Sequence, residues 1–216
     1  MTEFQRARST AAKQQREQTI LDAAATLGAE RGIRQVTLTD IADVVGMHKS
    51  ALLRYFETRE QIFLRLTAAG WREWAPALRA QLALLADPSP AAVAGAFATS
   101  LTARPMFCDL LAQAPLNLER NVSLESVRAF KLVTLEEVTL LSTELRRLMP
   151  HLDEADTIDI IAAATALAGA FWQMATPGPQ IQQLYRSDPR LAHAVVDVQP
   201  RVARILTAQL AGLLAR

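Results

Sequence analysis

The chain has 216 residues, half of them hydrophobic and 21% charged, with a net charge of +1. Such a composition excludes intrinsic disorder, and the length suits one large domain or a small domain plus a medium one. The near-neutral balance excludes a uniformly polybasic nucleic-acid binder, so any DNA contact must come from a local patch.

Cys108 is the one cysteine, so no disulfide forms within the chain and a reducing, cytoplasmic setting is expected. Residues 1–16 are polar and basic, unlike a signal peptide. The longest apolar stretch, 158–175, is interrupted by Asp159, Thr165, Gly169 and Gln173. It reads as a buried helix, and no membrane partner is expected.

Alternating β-branched runs are almost absent, and apolar residues recur at three- and four-residue spacing, so the fold class is all-α, with about nine or ten helices. Residues 1–9 read as a flexible arm. A first helix is expected from Thr10 to Arg31, closed by Gly32. Two short helices follow at 38–45 and 49–56. A further helix starts at Arg59 and must end or kink near Pro76, with helical pattern resuming over 77–86. After the loop at 87–90, helices are expected at 91–103, 106–117, 123–149, 154–175 and 200–215. The long connection 176–199 should hold a short helix near 180–185.

The informative stretch is VTLTDIADVVGMHKSALLRYFETREQIF, residues 36–63. Thr37 and Asp40 form a capping-box variant, with Val36 and Ile41 at the two ends of a hydrophobic staple. Gly46 stands where a left-handed residue closes the first short helix. Met47 and Leu52 staple the second, which puts His48 at its N-cap. Two short helices joined by about three residues with a glycine make a helix-turn-helix. Leu52 and Phe56 turn inward, which leaves Lys49, Ser50, Ala51, Arg54 and Tyr55 outward. Such a short, polar, cationic face suits base edges and phosphates in a major groove. Thr58 and Gln61 cap the next helix, with Arg59 as a cation at its first position.

These residues resemble the DNA-binding domain of the tetracycline-repressor (TetR) family. The match covers about 13–64 and rests on Thr37, Ile41, Ala42, Gly46, Met47, Lys49, Leu52, Tyr55, Phe56, Arg59, Ile62 and Phe63. A basic arm with Arg6, Arg8, Lys13 and Arg16 against Glu3 also fits. The resemblance implies phosphate contacts from Thr37, Thr39, Lys49, Ser50, Tyr55 and Arg59. His48, Lys49, Ala51 and Arg54 would lie nearest the bases. Three positions depart from the family pattern. Leu53 replaces a usual phosphate-reaching tyrosine, which lowers affinity uniformly rather than changing sequence choice. His48 stands where Ser or Thr is usual, and Arg59 where Lys is usual.

The resemblance also implies the organisation. A three-helix helix-turn-helix domain at 1–57 precedes a larger helical ligand-binding and dimerisation domain at 58–216. The expected partners are double-stranded operator DNA, a small-molecule effector and a second copy of the chain. The 154–175 helix, through Ile158, Ile161, Ala162 and Thr165, and the last helix, through Leu206, Leu210 and Leu213, would form a four-helix dimer interface. The alternative is that both helices are core of one subunit. A homodimer suits a two-fold operator, which needs reading heads roughly 34–36 Å apart. The bulky candidates for a ligand pocket are Trp74, Leu78, Phe97, Met106, Phe107, Leu110, Phe130, Val133 and Trp172, with Gln113, Asn117 and Gln173 as polar groups. They point to a small apolar or aromatic effector, though any one of them reads first as a core or surface residue.

No catalytic residues, cofactor or metal site are expected. The histidines are His48, His151 and His193, and no metalloprotease, P-loop, dinucleotide or nucleophile-elbow motif occurs. Cys108 sits in apolar MFCDLL and reads as inert. Adjacent Glu136 and Glu137 point in different directions on a helix, which excludes a catalytic pair. The function expected is a repressor released from a palindromic operator by its ligand. The alternative is a helical adaptor that binds protein through 154–216, and this predicts no salt-dependent DNA affinity.

Overall fold

The computed structural model describes residues 3–216, with side chains from Ala11 onward. The helices are α1 Glu3–Arg31, α2 Leu38–Val44, α3 Lys49–Leu52, α4 Arg59–Ala83, α5 Pro90–Thr102, α6 Pro105–Gln113, α7 Leu124–Leu148, α8 Glu154–Ala175, α9 Pro179–Ser187 and α10 Val198–Leu214. No strand occurs among the described residues, in keeping with the all-α expectation. Tight 3₁₀ turns at Ile33–Gln35 and Pro189–Ala194 and a π turn at Ala114–Leu118 complete the chain.

Several boundaries differ from expectation, each for a local reason. α1 begins at Glu3 rather than Thr10, because neither Gly nor Pro interrupts it before Gly28. The arm cations Arg6 and Arg8 lie outside the residues whose side chains are described. α3 is one turn long, not two. After Leu52 the backbone tightens to three-residue bonds, Arg54 to Ala51 at 3.2 Å and Tyr55 to Leu52 at 2.9 Å. That tightening brings Phe56 into the core.

Pro76 neither ends α4 nor splits it from 77–86. The proline removes one helical hydrogen bond, but Trp71, Trp74 and Ala75 before it and Leu78 and Leu82 after it are all buried. Burial on both sides outweighs the roughly 3 kcal/mol cost of an interior proline. Pro115 ends α6 early. It cannot donate, and the chain widens until Glu119 N–H reaches the Ala114 carbonyl at 3.1 Å.

α4 is the central helix and packs against α7, α5, α6 and α1. Its aromatic cluster forms the middle of the body. Trp74 meets Trp71 at 5.3 Å, Phe107 at 5.7 Å and Phe97 at 6.2 Å between ring centroids. The buried Trp74 indole N–H donates to Ser100 Oγ at 3.0 Å, and the Ser100 hydroxyl donates in turn to the Phe97 carbonyl at 3.0 Å. This polar group therefore lies deep in the body without an unmet bond. Gly70 makes room for the Phe107 ring, since a Cβ there would lie 2.3 Å from Phe107 Cδ2.

α8 packs on α6 and α10, and α10 packs on α5. These contacts correct part of the expected dimer interface. Ile161, Thr165, Leu206 and Leu210 are buried inside the single chain, because they form the inward stripes of the two helices. Ile158 at 42% exposure and Ala162 stay outside, with Leu213 half-buried. α8 is the one described helix long and apolar enough to cross a membrane, and one of its faces is covered by the body.

Candidate nucleic-acid interface

The head is built from α1, α2 and α3. Ile20, Ala24, Leu27, Ile33, Val36, Ile41, Leu52 and Phe56 bury its centre. Each short helix starts on a side-chain cap. Thr37 Oγ1 accepts the Asp40 N–H at 3.1 Å, and the Asp40 carboxylate accepts the Thr37 N–H at 2.7 Å, closing the expected box. The Thr37 hydroxyl also donates to the Asp40 carboxylate at 2.6 Å; this bond first, then the Thr37 N–H, and last the nearby Arg31 charge hold the Asp40 carboxyl below the usual carboxylate range. Gly46 turns the chain at φ 64, as its place after α2 requires. His48 caps α3, its Nδ1 meeting the Ser50 backbone N–H at 3.4 Å and the Ser50 hydroxyl at 2.8 Å.

His48, Lys49, Ser50 and Arg54 are exposed on one side of this turn, and Ala51 and Tyr55 are half-buried beside them. Thr37 and Thr39 are exposed at the start of α2. Leu53 is 43% exposed, which leaves an apolar spot in the polar surface. Arg34, which sequence reasoning missed, joins Lys49, Leu53 and Thr58 around a notch of about 500 Å³. A cation in a 3₁₀ turn carries no pattern that singles it out in sequence.

Arg59 corrects its expected role on a phosphate. Its guanidinium turns inward and donates to the backbone carbonyls of Val36 and Ile33, with Nη1 on Glu60 at 3.0 Å. It also lies 4.8 Å over the Phe63 ring and is only 19% exposed. The Ile33 carbonyl already accepts the Val36 N–H at 3.3 Å, and a guanidinium with several fixed donors fills its second acceptor site and binds the Val36 carbonyl as well. Thr58 caps α4 through the Gln61 N–H at 3.1 Å. The Gln61 side chain, however, accepts from Glu57 N–H at 2.7 Å rather than completing a box.

Two clefts open along the larger part of the chain and reach the head. One, about 500 Å³, opens between α4 and α7. Leu64, Ala68, Phe130 and Val133 give it apolar walls, and Arg65 and Arg72 line it with charge. At its head end one Glu57 carboxylate oxygen accepts from Ser123 N–H at 2.9 Å, Ser123 Oγ at 3.0 Å and Ser126 Oγ at 2.8 Å. These bonds hold the Glu57 carboxyl below its usual value. The other cleft, about 950 Å³, lies where the turn Gly32–Gln35 of the head meets α6 and the end of α8, and Met106, Asp109, Trp172 and Gln173 line it.

The expected pocket residues therefore separate. Phe130 lines the first cleft with Val133, and Met106 and Trp172 line the second with Gln173. Trp74, Leu78, Phe97, Phe107 and Leu110 line neither, because they fill the core against one another. Gln113 and Asn117 satisfy each other at 2.7 Å. Sequence reasoning also missed Asp109 as more than the neighbour of Cys108. A lone carboxylate in an apolar helix, MFCDLL, was the available signal.

Residues 20–66 match the family model described as bacterial regulatory proteins, tetR family. Residues 68–216 match the model described as tetracyclin repressor-like, C-terminal domain. The HTH-type transcriptional repressor KstR2 of Rhodococcus jostii (strain RHA1) is 43% identical over 53 residues, which are 24% of this chain and 26% of KstR2. The chain thus matches about a quarter of the length of that curated relative.

Among solved structures, a protein described as a TetR-family transcriptional regulator from Mesorhizobium loti aligns over 94% of this chain and 96% of its own, at TM-score 0.56 and 15% identity. The fatty acid degradation regulator FadR from Bacillus halodurans aligns over 88% and 97%, at 0.52 and 16%. RolR, solved with its ligand resorcinol, aligns over 92% and 96%, at 0.52 and 18%. At these identities the likeness is one of fold.

Proposed function

Because the chain belongs to the tetR family of bacterial regulatory proteins, we propose that it is a homodimeric transcriptional repressor. It binds a palindromic operator and lets go when a small molecule binds. The observation that carries this reading is the capped turn of α2 and α3, which holds His48, Lys49, Ser50 and Arg54 together in solvent. The start of α3 enters the major groove, with Ala51 beside the bases and Thr37, Thr39 and Tyr55 toward phosphates. Arg59 supports this surface from behind. No catalytic step is needed, and the work is done in the cytoplasm.

Residues 1–57 act as the DNA-binding unit and 58–216 as the ligand-binding and dimerisation unit. In the dimer the outward stripe of α8, Ile158, Ala162, Ala166 and Ala170, meets its copy, with α10 contributing through Leu213. Small side chains at four-residue spacing permit close helix approach. The effector is a small apolar or aromatic molecule lying against Phe130 and Val133 between α4 and α7. RolR, of the same fold, holds resorcinol. An occupant there displaces the start of α7, and the Glu57 network carries that displacement to the end of the recognition segment. The adaptor reading has no comparable support.

The test begins with duplexes enriched from a random library by the full-length protein. Lys49→Ala with Arg54→Ala should abolish measurable binding to them in an anisotropy titration. Unchanged affinity would refute the interface. A thermal-shift screen of small aromatics then supplies compounds, and those that stabilise the protein should release the duplex.

A further inference from the structure

The 3₁₀ turn Ile33–Gln35, which joins α1 to α2, has glycine at its N-cap and no capping side chain of its own. Its first free N–H, on Ile33, is taken up from 76 positions away. It donates to Oδ2 of Asp109 on α6 at 3.0 Å. Gly32 holds the backbone at φ 80, a conformation side-chain-bearing residues rarely adopt, and its missing Cβ would lie 3.9 Å from that oxygen. The second carboxylate oxygen of Asp109 accepts from Nε2 of Gln173 on α8 at 2.7 Å.

Arg59 holds the other end of the same turn through the Ile33 and Val36 carbonyls. The turn thus carries an anion at its N–H end and a cation at its carbonyl end, each matched to the local dipole. Asp109 is 9% exposed, and its neighbours Phe107, Cys108 and Leu110 are buried apolar groups. A carboxylate that deep requires firm partners, and the two it has belong to the head and to α8. Met106 also packs near Gly28 of α1, but apolar contact sets no direction, whereas a charge-assisted hydrogen bond does.

We propose that Asp109 is a positioning residue that fixes the DNA-binding head on the body. It tethers the head on the α6 side, while on the other α4 carries it covalently and Glu57 links it to the start of α7. Without the tether the head folds but swings about α4. In a dimer, the two recognition helices then lose the fixed separation that two half-sites demand. The inference rests on the operator-binding reading above.

The test compares a duplex enriched from a random library by the wild-type protein with the same duplex after one half is scrambled. Asp109→Leu should bind the full duplex about tenfold more weakly, a loss of about 1.4 kcal/mol, and bind the scrambled duplex as wild type does. Asp109→Asn should recover most of the loss. A flipped Gln173 amide can accept from the new side-chain N–H, while the new carbonyl keeps the Ile33 bond. Equal losses on both duplexes, or none on either, would overturn the proposal, because only a positioning role separates them. If Asp109→Leu does not fold, Gln173→Leu decides: a smaller loss confined to the full duplex supports the proposal, and an unchanged affinity overturns it. If the wild type enriches no duplex at all, the operator-binding reading itself fails, and this inference with it.

Discussion

Gly169 of α8 faces Ala112 of α6 so closely that an added Cβ would sit 2.9 Å from the Ala112 backbone nitrogen. Backbone cannot yield as a flexible side chain can. Gly169→Ala should therefore cost about 1–3 kcal/mol, despite the better helix propensity of alanine. Urea denaturation reads this as a lower midpoint at unchanged slope. An unchanged or raised midpoint would show that α6 and α8 are not packed this tightly.

The capping box of α2 yields a second expectation. Thr37 satisfies the Asp40 N–H and takes its carboxylate in return. Thr37→Ala should lower stability by about 1 kcal/mol. Thr37→Ser should keep most of it, since the hydroxyl does the capping. Thermal melts of the two variants distinguish a lost hydroxyl from a lost methyl group.

Glu57 accepts three hydrogen bonds on one oxygen, and its carboxyl is held below the usual 4.5. A depressed folded pKa means that the stabilisation is complete above the ordinary value and fades as pH falls through the lower one. The link between the head and α7 should hold at neutral pH and weaken below about pH 4.5. Glu57→Gln should flatten this acid limb when urea midpoints are measured across it. An identical pH profile would remove Glu57 from the account.

Cys108 is fully buried, and its thiol is pushed up to about 12, by burial first and by the Asp109 charge second. It donates to the Leu101 carbonyl at 3.2 Å. Reaction needs thiolate and access, and it has neither. Iodoacetamide at neutral pH should label the unfolded protein and leave the native one unmodified over hours. Rapid native labelling would reveal an opening of α6 that this packing does not allow.

The head was the most legible part of the chain, because its short helices depend on local chemistry. Thr37, His48 and Thr58 cap where cap residues should stand, and Gly46 has the positive φ its position required. Legibility fell where distance in sequence took over. Arg59 read as a free cation at a helix start, yet carbonyls 26 and 23 residues earlier claim it. Asp109 was visible only as a charge in an apolar helix, since its partners lie 76 and 64 positions away. Pro76 read as a break because propensity ignores packing on either side of it. The aromatic residues between α4 and α6 stand in sequence as candidates for pocket as well as core, and their mutual contacts place them in the core.

Lys49 and Arg54 stand exposed on a capped turn, the surface proposed to meet DNA. The most direct measurement is the slope of log affinity against log salt for an enriched duplex. Each neutralised phosphate contributes about 0.9 to that slope on duplex DNA. Wild type should show a steep negative slope, and Lys49→Ala should make it shallower by about one. A flat wild-type dependence, or a slope that Lys49→Ala leaves unchanged, would contradict the account.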